Sequence, residues 1–142
     1  MPSMEHHMRS RPTGSLPALL SAGVTFATAA VYVGVIVSQG SAEVAPTVAI
    51  TSWILALGAC VLVGALRTAP DRVILLGAAS GGLVGAAILS LFSIGALLLV
   101  AGILALIAWI RSGVEASPRD QLLGGVAGVA AALGFLGLVV LV

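Results

Sequence analysis

The chain is short of charge before anything else. Of its 142 residues 8% are charged, lysine and asparagine are absent, and aromatic residues make up 4%. A water-soluble domain carries about a quarter charged residues, so this chain cannot cover a folded surface with polar groups. Cys60 is the single cysteine, which excludes an intrachain disulfide framework and a cysteine-built zinc site. The formal net charge is +1, and the arginines are spread over short segments without forming a basic patch. A nucleic-acid partner is therefore not expected.

Chemistry is equally scarce. No Asp, Glu, His or Arg falls inside any long apolar run, although proton relays, ion-coupled transport and voltage sensing need ionisable groups there. The size suggests the small four-helix multidrug antiporters, but those depend on a membrane-embedded carboxylate that this chain lacks. Intramembrane hydrolysis would need a Ser with His or Lys, paired Asp residues or a motif such as HExxH, and a Walker-type loop would need a lysine. Neither an enzyme nor a cofactor or metal site is expected. His6 and His7, beside Met4, Glu5 and Met8, could chelate a soft metal only with further ligands, which the sequence does not place nearby.

What the chain does have is length of apolar sequence, with 60% hydrophobic residues and a mean hydropathy of +1.22. A bilayer core of about 30 Å takes roughly 20 helical residues at 1.5 Å each. Residues 16–37 meet that length after Arg9 and Arg11. The run is longer than the apolar stretch of about 7 to 15 residues in a cleaved signal peptide, so it reads as an anchor. Residues 48–66 form a second run between Pro46 and Arg67. Residues 122–142 form the last.

The run 73–110 decides the count. As one helix it would be about 57 Å long, and fitting it into about 30 Å needs a tilt beyond the roughly 40° that helices adopt. It must fold back as spans 73–89 and 94–110, with Ser90 to Ser93 at the turn. The expected fold is an all-α, polytopic bundle of five spans in one domain over 16–142, preceded by a flexible segment 1–15. Arginine placement agrees. With the N-terminus in the cytoplasm and the C-terminus outside, Arg9, Arg11, Arg67, Arg72, Arg111 and Arg119 all fall on the inner side. Trp109 then reads as an inner-interface anchor. The bias toward Ala, Gly, Val and Leu suits a bacterial, high-GC source and a plasma-membrane location.

Two loops carry helix starts. Thr68-Ala69-Pro70-Asp71 and Ser117-Pro118-Arg119-Asp120 each read as an N-cap hydroxyl, a proline in the first turn and an acid at the third position. The segments around them also match weakly. Leu75-Leu76-Gly77 with Gly81 parallels Leu122-Leu123-Gly124 with Gly128, which suggests a tandem hairpin repeat of spans two and three with spans four and five.

Small residues supply the packing candidates. Gly77, Gly81 and Gly85 form one column at four-residue spacing, and Gly124, Gly128 and Ala132 form another. Ala56, Cys60 and Gly64 repeat the spacing in the second span. Such columns join helices within one chain, or in a homo-oligomer or larger membrane complex. One polar stripe stands out: Ser21, Thr25, Thr28 and Tyr32 recur on a single face of the first span. Ser80 and Thr51 are its candidate partners. The expected function is that of a structural, accessory or interaction protein acting through helix packing in the lipid bilayer. The alternative is a passive channel or facilitator along the Ser21 to Tyr32 face.

Overall fold

A computed structural model of the chain describes residues 15–40, 44–68, 70–90 and 94–141. Helix is its regular structure: α1 (Ser15–Gln39), α2 (Val44–Leu66), α3 (Asp71–Leu89), α4 (Gly95–Gly113) and α5 (Pro118–Leu141), with no strand among the described residues. All five are long and apolar enough to cross a bilayer. This is the helix content of a multi-pass membrane protein, because backbone N–H and C=O groups in lipid must be satisfied within the segment.

The long run folds back where its length requires. α3 stops at Leu89 and α4 starts at Gly95, while Ser90 donates both its N–H and its hydroxyl to the Ala86 carbonyl. The remainder of the turn, 91–93, lies outside the described residues, as do Arg9, Arg11 and both histidines. The φ of Gly95 is not positive, and its role is clearance, since a Cβ there would crowd the carbonyls of Ala87 and Ser90. α1 ends on Gly40 at φ 67°, the left-handed glycine that terminates many helices.

Helix boundaries move by a few residues from the sequence reading. α2 begins at Val44, because Pro46 sits in the first turn, where a missing N–H costs nothing. α3 and α5 begin at Asp71 and Pro118, and α4 continues to Gly113. The two expected caps part company. Ser117 caps α5: its hydroxyl accepts from the Asp120 N–H at 3.3 Å and donates to the Asp120 carboxylate at 2.8 Å. Thr68 makes no such cap at α3. Backbone carbonyls of Thr68 and Pro70 take the first N–H groups instead, and Asp71 turns back to Arg67 at 3.7 Å.

α1 to α4 close a ring. Each packs on its neighbour in the chain, and α1 meets α4 to complete the circuit. The interior is built on Ile54, Leu57, Val61, Leu76, Leu83 and Leu98, with alanines from every wall between them. Lipid tails are as apolar as leucine, so burial in this setting gives little net driving force. Close approach and dispersion do the work, which is why alanine dominates. α5 lies outside the ring on α3 and scarcely touches α4. The arms of the α2 and α3 hairpin therefore pack together along their length while those of α4 and α5 do not. The two hairpins suggested by the sequence match are not built alike.

Candidate functional site

The tightest joint in the molecule lies between α3 and α5. Gly77 stands against Gly124, Gly81 against Gly128 and Gly85 against Ala132. The constant offset makes the two helices parallel. A Cβ added at Gly77 or Gly81 would run into the carbonyl of its partner, and one at Gly128 would sit 2.6 Å from the Gly77 oxygen. The glycine hydrogens that stand in place of Cβ atoms thus point at facing carbonyls, the arrangement of Cα–H···O contacts between closely crossing helices. Both sequence columns are spent on one another within the chain. The second-span column behaves differently: Gly64 is buried against Leu75 and Leu76, but Ala56 is exposed and Cys60 only half-buried. α2 turns Ile54, Leu57, Gly58 and Val61 inward in their place.

α5 crosses α3 obliquely. Near its start Gly124 abuts the Trp109 indole of α4, and near its end Gly134 and Phe135 meet Trp53 of α2, with the Trp53 and Phe135 rings 6.0 Å apart. Trp109 was read as an interfacial anchor. Its indole packs against α5, with Nε1 buried and unpartnered, where Gly124 leaves a flat surface for the ring. Beside the crossing a wedge opens between α3 and α5. Its volume is about 330 Å³, its floor is Gly77, Gly81 and Gly85, and Trp109 stands at one end. Ser80 also lines the wedge, with its hydroxyl donated to the Gly77 carbonyl at 2.9 Å.

The polar stripe is gathered only in part. Ser21, Thr25 and Thr28 are buried on the ring interior. Ser21 donates across to the Ala101 carbonyl of α4 at 2.7 Å. Thr25 and Thr28 donate to carbonyls one turn back in their own helix, Ser21 and Val24, each at 2.8 Å. Such back-bonding satisfies a hydroxyl in an apolar setting without a partner helix. Tyr32 is only half-buried and faces a separate cavity of about 220 Å³ with Ser90 and Phe135. Neither proposed partner joins the stripe: Ser80 bonds within α3, and the Thr51 hydroxyl is buried without a partner.

The described arginines collect at one end of the bundle, where α2 and α4 finish and α3 and α5 begin. Arg67, Arg111 and Arg119 are exposed. Arg72 is not: it is 5% exposed, and its Nε and Nη2 atoms have no hydrogen-bond partner. Position within the sequence identified Arg72 only as one of several topology markers. Its helical phase carries more, since Arg72 shares a face with Leu76, Ala79 and Leu83, all in the core. Among the described residues no group of His, Cys, Asp or Glu is arranged to hold a metal.

These features define a class by architecture: a membrane protein with a four-helix ring and a fifth helix docked outside through glycine. No protein-family model matches the chain, and no curated protein or solved structure matches it either.

Proposed function

We propose that this protein is a non-enzymatic plasma-membrane component, structural or accessory, that acts by packing against other membrane helices. The observation that carries the reading is on α1. Gly23, Ala27, Ala30 and Gly34 recur at helical spacing on the face opposite the hydroxyl stripe, all are exposed, and no described residue lies within 4 Å of a Cβ placed on Gly23 or Gly34. The same kind of column joins α3 to α5 inside the chain, so the α1 column offers a second helix the same fit. The column is legible in the sequence by its spacing.

The chain lies with its N-terminus in the cytoplasm, which puts Arg67, Arg72, Arg111 and Arg119 on the inner side in keeping with the positive-inside rule. A passive channel along the first span finds less support, because the Ser21, Thr25 and Thr28 hydroxyls are all committed to carbonyls. The unlike packing of the hairpins gives the tandem repeat no support. Crosslinking in native membranes tests the packing role: Ala27→Cys in a Cys60→Ala background should give a discrete product with a second helix, and Gly23→Leu with Gly34→Leu should abolish it. A chain that stays uncrosslinked and monomeric in mild detergent would refute the proposal.

A further inference from the structure

We infer that Arg72 is the receptor for a phosphate-type oxyanion at the arginine-bearing end of the bundle. A guanidinium is always charged, and burying one without an opposite charge or hydrogen-bond acceptors is among the costlier arrangements a protein can adopt. Arginines near the ends of membrane helices ordinarily extend to the headgroup region. Arg67, Arg111 and Arg119 are exposed in that way, whereas Arg72 is 5% exposed.

Among the described residues no acceptor lies within hydrogen-bond distance of Arg72 Nε or Nη2. Asp71 pairs with Arg67 at 3.7 Å, and Asp120 is bonded to Ser117. The backbone at the start of α3 is satisfied as well, since the N–H groups of Arg72, Val73 and Ile74 go to the carbonyls of Thr68 and Pro70. Arg72 Nε and Nη2 are left over.

The identity of the free atoms narrows the ligand. Nε and Nη2 make up the side-on edge of the guanidinium, whose parallel N–H bonds match two oxygens of one phosphate. Because α3 spans the bilayer and Arg72 lies in its first turn, the side chain stands within a stem's length of the headgroup layer. Reaching a headgroup phosphate requires the guanidinium to swing outward, which its flexible stem permits without moving the helix.

The test uses the full chain in mild detergent, with native mass spectrometry for bound lipid and Trp fluorescence for the melting temperature. Phosphatidylglycerol, phosphatidylcholine and inorganic phosphate are added separately. Wild type should retain phosphatidylglycerol or respond to inorganic phosphate, the first outcome assigning a lipid source and the second a soluble one. Arg72→Met should weaken that binding on the order of tenfold or more, as expected for loss of charge-assisted hydrogen bonds. Arg72→Lys should recover only part of it, because a point charge lacks the edge. Arg67→Gln should bind as wild type does. Without added anion, Arg72→Met should melt no lower than wild type. A lower melting temperature there would overturn the inference, since the chain itself would then be satisfying the guanidinium. So would equal binding of phosphatidylglycerol and phosphate by wild type and Arg72→Met.

Discussion

Replacing Gly128 with alanine should loosen α5 from α3, and the structure gives the size of the effect. The added Cβ would lie 2.6 Å from the Gly77 carbonyl oxygen. Carbon and oxygen settle at about 3.3 Å or more even in a Cα–H···O contact, so the helices must separate by about 0.7 Å. A gap of that size forfeits roughly a quarter to a half of the dispersion attraction along the joint. The Cα–H···O contacts of the column, each worth about 0.5 to 1 kcal/mol, weaken with it. Together these costs come to about 2 to 3 kcal/mol, in the range found for overpacked interiors.

Alanine is also a better helix former than glycine by about 1 kcal/mol, so the variant needs a control that isolates propensity. Gly125 supplies it: it lies three residues earlier in the same helix, and a Cβ there meets no described residue within 4 Å. Gly125→Ala should leave stability unchanged or raise it, while Gly128→Ala lowers it, the two differing by about 2 to 3 kcal/mol. Equilibrium unfolding in mixed micelles, followed by Trp fluorescence, measures both. Trp53 and Trp109 each touch α5, so the signal reports on the joint itself. Equal effects of the two alanines would refute the reasoning.

In the core, Ser21→Ala should cost about 0.6 kcal/mol, the average for an interhelical hydrogen bond in a membrane, whereas Thr25→Val should be nearly neutral because its bond lies within α1; the same unfolding assay compares them. Ser117→Ala should destabilise the start of α5 by about 1 kcal/mol and Thr68→Ala should have little effect, which amide exchange in the two helix starts would show. Phe135→Ala should detach the far end of α5 from Trp53 at a cost of about 2 kcal/mol, below that of a water-soluble core because lipid solvates the exposed surface. Its signature is a Trp53 emission change that a Trp53→Phe background removes.

Length and charge made the five helices legible, because a bilayer of fixed thickness cannot take 73–110 as one span. Helix starts were less secure. The same residue types occur before α3 and α5, yet only Ser117 caps, because Pro118 directly follows it while Thr68 is separated from Pro70 by a further residue. Spacing showed which glycines share a face but not what faces them. That Gly77 meets Gly124 depends on where α5 lands, which no local pattern encodes. The stripe illustrates the same limit: periodicity put Ser21, Thr25, Thr28 and Tyr32 on one side of α1, but α1 is buried at one end and open at the other, so Tyr32 separates from the rest. Arg72 was hidden among arginines of like position. Its phase on the core face of α3 was the available signal.

The most direct test of the five-span account is the sidedness of its loops. Single cysteines replace Gln39, Thr68, Ser90 and Ser117 in a Cys60→Ala background, and a membrane-impermeant thiol reagent is applied to intact cells and to inverted vesicles. The account predicts that Gln39→Cys and Ser90→Cys label from the outside and that Thr68→Cys and Ser117→Cys label only from the cytoplasmic side. Labelling of Thr68→Cys and Ser90→Cys from the same side would contradict it.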